Sequence, residues 1–352
     1  MKKSITFFLF LCMLLSVASC DNMADQGQIN STQNHTAQLT RFSGFTLDYF
    51  DTLSIVIGYA ETREEFDYFS SLIISELRKM HMLFDIYHEH PGINNIRTVN
   101  INAGIAPVEV DPTIIQLLNA SVEAYHLTGG VFNIALGPVL EVWHSHRTSY
   151  PHTLPDMRTL LAANEYSNIR DIIIDAENST VFLPHENMSL DVGGIAKGFA
   201  LEIAVARARE AGFVSFLLNM GGDVLTAYPP PGQNYWSVAV ESPLGDGHVD
   251  AVAVSNMAVL ASGDYRRFFV VDGIAYGHLI DPATLMPARL FRSVTVIHPR
   301  ALYAEILSSA AFIMDINSGM ELLAEHGAEA IWITYDGQII TTPGYARFSA
   351  TR

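Results

Sequence analysis

Cysteine is almost missing from this chain: among its 352 residues only Cys12 and Cys20 carry a thiol. Beyond residue 20, therefore, no intramolecular disulfide and no thiolate metal site can form, and any metal must take oxygen or histidine ligands. Positive charge is scarce as well. Lys and Arg number 20 against 37 Asp and Glu, a formal net charge of −17, which argues against nucleic acid or an anionic membrane surface as the main partner. An anion bound here has to find its positive charge locally. No internal repeat and no low-complexity segment follows residue 40.

The first residues carry an address. Lys2 and Lys3 form a basic start, Ile5 to Val17 is an apolar run too short to span a bilayer comfortably, and Val17-Ala18-Ser19 supplies small residues directly before Cys20. This V-A-S-C order resembles a bacterial lipoprotein signal, in which the cysteine becomes the acylated first residue; an ordinary secretory signal is the alternative. The expected organisation is a signal peptide over 1–19, a lipidated Cys20 with a polar, flexible tether over 20–40, and a domain over 41–352. The roughly 310 residues of that domain suffice for one large or two intimate units with a sizeable core.

Alternation in TLDYFDTLSIVIGY predicts a β-hairpin between Phe42 and Tyr59. Phe66, Phe69, Ile73, Leu77, Met80 and Phe84 recur at helical spacing and predict a helix over 61–84 with one apolar face. A second helix starts near Pro112, carries Ile115, Leu118, Val122 and Tyr125 and stops at Gly129-Gly130; a third runs from Ala196 to about Glu210. Strand patterns follow at 214–220, 235–242, 249–256 and 266–273, then helices at 303–314 and 319–326. The closing hairpin, AIWITYDGQIITT, has an Asp336-Gly337 pair that favours a tight type I′ turn. Because this is no regular β-α-β alternation, the predicted fold class is α+β, with mostly antiparallel sheets and packed helices.

Three constellations carry chemistry. DVGGIAKG, Asp191–Gly198, sets three glycines, a lysine and a carboxylate at the start of a helical pattern. Gly193, Gly194 and Gly198 allow close approach of backbone, Lys197 brings charge, and the helix from Ala196 aims free N–H groups at the same place, a cradle for an anion. A glycine-rich turn into an ordinary helix is the alternative. The stretch has neither P-loop nor dinucleotide-fingerprint spacing, so no nucleotide fold follows from it. Ser262–Ala288 gathers Asp264, Arg266, Arg267, His278, Asp281 and Thr284 around a hairpin. There His278 is either a proton shuttle, its tautomer fixed by Asp281 or a backbone carbonyl, or a surface histidine in a polar turn. On the helix from Tyr303, Glu305 and Ser309 share a face and offer hard oxygen donors of the kind magnesium accepts; a solvated helix face produces the same pair.

DVGGIAKG, LLNMGGDVLTA (217–227), SGDYRRFF (262–269), HLIDPATLMPA (278–288) and AEILSSAAFIM (304–314) follow one another in an order that resembles the ApbE family of FAD:protein FMN transferases. TGGVFNIALGPVLEVW (128–143) and, more loosely, NNIRTVN (94–100) resemble earlier blocks, so the likeness runs from about residue 45 to 345. The resemblance implies a monomeric enzyme of ApbE-like, T-fold-related architecture in the bacterial cell envelope, on the periplasmic side, with FAD as substrate and Mg2+ as metal. It implies transfer of FMN from FAD to a Thr or Ser hydroxyl of an acceptor protein through a phosphoester bond, with release of AMP. The acceptor it implies is a subunit of a membrane redox complex. No acceptor-like D-G-[AS]-[ST]-[GS]-[AS]-T stretch occurs in this chain, so that subunit is expected to be a separate protein.

Carried over residue by residue, the resemblance gives His278 as the reactive histidine and the Gly194 carbonyl, Glu305 and Ser309 as metal ligands. It places FAD near Phe50, Tyr87, Asn133, Asp191, Lys197 and Leu279. Asp191 either accepts from the flavin's polar edge or holds its own turn. Three departures stand out: Glu305 and Ser309 occupy the places of an Asp and a Thr, Asn133 that of an aspartate, and Leu285 that of a turn glycine. Two other functions share the same residues, an FAD pyrophosphatase using water and a non-catalytic flavin-binding lipoprotein. An aspartate after Cys20 favours the inner over the outer membrane as the anchoring site.

Overall fold

Strands that remain in one sheet alternate, from Thr40 onward, with excursions that cover it. Among the described residues, 38–245 and 247–351 of a computed structural model, eight strands lie side by side in chain order. They are Thr40–Tyr49, Thr52–Ala60, Phe216–Met220, Asp223–Thr226, Ala258–Gly263, Ser293–His298, Glu329–Ile333 and Ile339–Thr341. Every neighbouring pair is antiparallel. These residues belong to one compact unit; the expected signal peptide, Cys20 and the tether up to residue 37 lie outside them.

Period-two alternation gives the sheet two buried faces. Val56, Leu218, Leu260, Val294 and Trp332 belong to the core on one face, whereas Leu217, Val224, Val259, Ile297 and Ile331 belong to the core on the other. Three helices cover the first face: Arg63–Phe84, Ala196–Glu210 and Ala301–Ile313. Thr62 caps the first by accepting the Glu65 N–H at 3.1 Å, with Glu64 and Glu65 at the positive end of the helix dipole. Its six predicted apolar residues are all buried. In Ala301–Ile313 every residue from Ala304 to Phe312 is buried, as expected of a helix wedged between sheet and neighbours. That burial rules out the solvated-face reading of Glu305 and Ser309.

The ribbon of Trp236–Glu241 and His248–Val254 covers the second face, with Trp236, Val238 and Val240 turned inward. A third apolar cluster joins the helix Gly137–Thr148 to the hairpin Phe268–Val271 and Ile274–Gly277 through Trp143, Phe269 and Leu285. His278 follows this hairpin directly. The α+β class with antiparallel sheet is thus what the chain adopts.

Three local expectations are corrected. The closing turn is not type I′: only Gly337 of its Asp-Gly pair has positive φ, +82°. The Gly337 N–H donates to the Thr334 carbonyl at 3.1 Å and the Thr334 N–H to the Gln338 carbonyl at 3.0 Å, a type I turn ending in a glycine bulge. In the helix Pro112–Leu127, Ile115 and Leu118 are buried as predicted and Val122 and Tyr125 pack half-buried against the core, but Ile114 and Leu117 are buried as well, so the apolar face is wider than the predicted one. The helix Gly137–Thr148 escaped prediction because Gly137-Pro138 reads as a turn and few of its residues face the core.

At the glycine position taken by Leu285 the left-handed turn is kept, with φ +60°. That conformation costs about 1–2 kcal/mol for a residue with a Cβ. Leu285 is buried against Trp143, whose indole N–H donates to the Leu285 carbonyl at 2.8 Å. Burying a leucine side chain contributes about 1.5–3 kcal/mol, enough to offset the strain.

Candidate functional site

The start of Ala196–Glu210, the first residue of Asp223–Thr226 and the middle of Ala301–Ile313 meet at one point. Lys197 is ion-paired with Asp223, and its Nζ lies 3.9 Å from Glu305 Oε1. Asp223 is 4 % exposed and Glu305 5 %, and the second Asp223 oxygen accepts the Ala261 N–H at 3.1 Å. Ser262 Oγ lies 2.9 Å from Ser308 Oγ and 3.3 Å from Ser309 Oγ. Two carboxylates, one ammonium and three hydroxyls therefore share a nearly dry corner.

The glycines of DVGGIAKG work differently from expectation. Neither Gly193, Gly194 nor Gly198 has positive φ. Gly198 permits helix contact: a Cβ there would come 2.6 Å from the Ala301 carbonyl oxygen and 2.9 Å from Glu305 Oε2. The Gly198 N–H donates to Glu305 Oε2 at 2.5 Å, and the Lys197 N–H also serves that carboxylate. The helix start is thus closed by the protein's own Glu305 and not open to a ligand anion, a correction to the cradle reading. The Gly198 N–H is lost to the Gly194 carbonyl, on which no hydrogen bond falls among the described residues. Gly198→Ala is expected to lower stability by about 1–3 kcal/mol through overpacking, read by thermal unfolding; an unchanged melting temperature would contradict this packing.

Burial, with the nearby Asp223 carboxylate, pushes the Glu305 carboxyl up to about 7 despite the opposing pull of Lys197. Burial draws the Lys197 ammonium down, but Asp223 and Glu305 outweigh it and hold its pKa above the ordinary lysine value. The oxygen-only donors Glu305, Ser309 and the unused Gly194 carbonyl suit a hard divalent cation. Desolvation of the half-buried His278 ring, with Arg267 and Arg147 nearby, lowers its pKa to about 4. Its Nδ1 has no hydrogen-bond partner, while the ring bonds the Arg267 carbonyl, so the basic lone pair is on Nδ1. The backbone carbonyl, and not Asp281, orients the imidazole: Asp281 accepts from Ala283 N–H at 2.9 Å and Thr284 Oγ1 at 2.9 Å.

A cleft of about 1200 Å³ opens over this corner. Its walls include Phe50, Tyr87, Asn133, Asp191, Gly194, Lys197, His278, Leu279, Glu305 and Ser309, so the ten catalytic, flavin and metal residues that the resemblance gave come together in one place, whereas Asp281 and Thr284 lie outside it. Asp191 Oδ1 accepts the Gly193 N–H at 2.8 Å and so holds the turn. The Asn133 amide is used at both ends, accepting the Ala135 N–H at 2.9 Å and donating to the Ser167 carbonyl at 2.8 Å. Phe50 stands at the rim with φ +57°, followed by Asp51 at +51°, a strained turn for bulky residues.

Asp223, Arg147 and Arg267 were not among the residues singled out as binding or catalytic, although the LLNMGGDVLTA and SGDYRRFF blocks contain the first and third. Among the described residues neither Arg147 nor Arg267 has a carboxylate partner, and both line the cleft. They supply the local positive charge that an acidic protein needs to hold an anion, Lys197 being already matched by Asp223 and Glu305. Asp264 is not part of the cleft wall: it is buried against Arg292, at 3.2 Å, and the Tyr335 hydroxyl.

The ApbE family model matches residues 51–332. An FAD:protein FMN transferase of Treponema pallidum is 32% identical over 270 residues, 71% of this chain and 73% of that protein. One of Klebsiella pneumoniae is 28% identical over 261 residues, 73% of this chain and 80% of that protein. The crystal structure of the ApbE protein from Thermotoga maritima superposes with a TM-score of 0.79 at 28% identity, over 88% of this chain and 99% of that one. The chain belongs to the ApbE family.

Proposed function

We propose that this enzyme, an FAD:protein FMN transferase, transfers FMN from FAD to a Thr or Ser hydroxyl of an acceptor protein and releases AMP. The convergence on one cleft of ten residues drawn from distant parts of the chain, with a neutral, half-buried histidine and a Lys197–Glu305–Asp223 corner, carries the reading. The acceptor oxygen forms a bond to the FMN phosphorus, the bond from that phosphorus to the bridging oxygen breaks, and AMP leaves with the bridging oxygen. The His278 imidazole takes the hydroxyl proton. Lys197, Arg147 and Arg267 hold the pyrophosphate oxygens, and the cleft's aromatic residues Phe50 and Tyr87 hold the ring systems. Gly194, Glu305 and Ser309 would hold Mg2+, which when bound supplies charge neutralisation on the phosphate oxygens.

The acceptor is proposed to be a subunit of a membrane redox complex, and the V-A-S-C motif supports anchoring through Cys20 on the periplasmic side of the inner membrane. Among the described residues no helix is long and apolar enough to cross a membrane. Glu305 and Ser309, though altered from the Asp and Thr of the family pattern, still aim oxygen donors into the cleft, which favours catalysis over mere flavin storage.

Glu305 must be ionised to ligate a cation, and its pKa is raised to about 7. Metal affinity is therefore expected to level off above pH 7 and to weaken below it, approaching about tenfold per pH unit. Calorimetric titration with Mg2+ at pH 6, 7 and 8 checks this; equal affinities at all three would contradict it. The function itself is tested by mixing the protein with FAD, Mg2+ and a flavin-acceptor domain and weighing the acceptor.

A further inference from the structure

A second group of potential ligands reaches the cleft through His81 and Asp85 and shares no residue with the Glu305 corner. His81 is in the last turn of Arg63–Phe84 and Asp85 caps that helix, so the two share a face at i and i+4. His90 returns to them through a loop closed by the Ile93 N–H, which donates to the His90 carbonyl at 3.0 Å, and by the Asn95 amide, which donates to the His88 carbonyl at 2.8 Å. One ligand atom from each of His81, Asp85 and His90 lies within 4.8 Å of the others.

Asp85 is prepared as an anion. Its Oδ1 accepts the backbone N–H groups of Tyr87 at 2.7 Å and His88 at 3.0 Å. Its Oδ2 is 3.1 Å from both His88 Nδ1 and His90 Nε2. An imidazole proton shared with a buried carboxylate marks the place where a cation replaces protons when the ligands deprotonate. His81 and Asp85 also line the cleft, so an ion has a path to them.

We propose that His81, Asp85 and His90 form a metal site distinct from the Gly194–Glu305–Ser309 set, selective for an imidazole-preferring divalent transition ion such as Zn2+. Two imidazoles and one carboxylate are a donor set that such ions accept with positions left for water or a further ligand, whereas Mg2+ prefers oxygen alone. Occupancy also reaches the flavin side of the cleft. His81 Nδ1 accepts the Phe50 N–H at 3.3 Å. Ligation through Nδ1 takes that lone pair, and ligation through Nε2 requires a proton on Nδ1; either way the Phe50 N–H is released at the strained rim turn.

The test is a titration of the untagged, chelator-treated full chain with Co2+, followed by visible absorption, and with Zn2+, followed by calorimetry, in excess Mg2+. The site predicts one transition ion per chain, an affinity at least about tenfold weaker in His90→Ala and in His81→Ala, and no change in Glu305→Ala. Melting curves of each variant confirm that the fold is intact, and His90, on a loop, is the substitution least exposed to misfolding. Absence of binding, binding by His90→Ala and His81→Ala as tight as by the parent, or loss of the ion in Glu305→Ala would each overturn the assignment.

Discussion

His278→Ala is expected to slow FMN transfer by about 10²–10⁴-fold while FAD binding changes only a few-fold. The asymmetry follows from what the imidazole touches. The ring is half-buried, its Nδ1 has no partner, and its low pKa, about 4, leaves it neutral at pH 7. A buried polar atom left unpaired in the resting protein is costly unless something arrives to use it; in the proposed reaction the acceptor hydroxyl is that partner. Single-turnover kinetics with saturating FAD separate the rate from binding. A variant that transfers FMN at the parent rate would remove His278 from the chemistry.

The second large effect is expected at Glu305. Glu305→Gln keeps the size of the side chain and an oxygen that can accept the Gly198 N–H, but removes the charge, and it should lower transfer by about 10²–10³-fold together with metal affinity. Stability should move the other way. The folded-state pKa is raised from 4.5 to about 7 by burial, so the ionised carboxyl lowers stability increasingly from pH 4.5 up to 7, and the neutral variant escapes this cost. In metal-free buffer at pH 8 the Gln variant should therefore melt no lower than the parent, and the difference should vanish below pH 4.5. Lost activity with a preserved or raised melting temperature marks a site residue held at the expense of stability; a fall in both would mean that the Glu305 charge stabilises the fold through Lys197 and is not held at a cost.

The sequence carried the elements with strong periodicity: the helix predicted over 61–84 is Arg63–Phe84, and the one from Ala196 to about Glu210 has those ends. Its fold class also held. The site was legible mainly through family resemblance, since the pairings that build it join residues far apart in the chain. Lys197 meets Asp223 across 26 positions and Gly198 meets Glu305 across 107, separations for which spacing offers no rule. Asp223 was harder still, because its strand is four residues long and buried throughout, without the alternation that reveals a half-exposed strand. The occupied helix start illustrates the same limit: glycines and a lysine announce a cradle, but only the folded chain shows that Glu305 fills it.

FMN transfer is tested most directly by incubating the protein with FAD, Mg2+ and a flavin-acceptor domain, then measuring acceptor mass and AMP in the same sample. It predicts an acceptor heavier by one FMN and one AMP released for each acceptor modified. AMP without a change in acceptor mass, or FAD retained intact with every divalent metal tried, would contradict it.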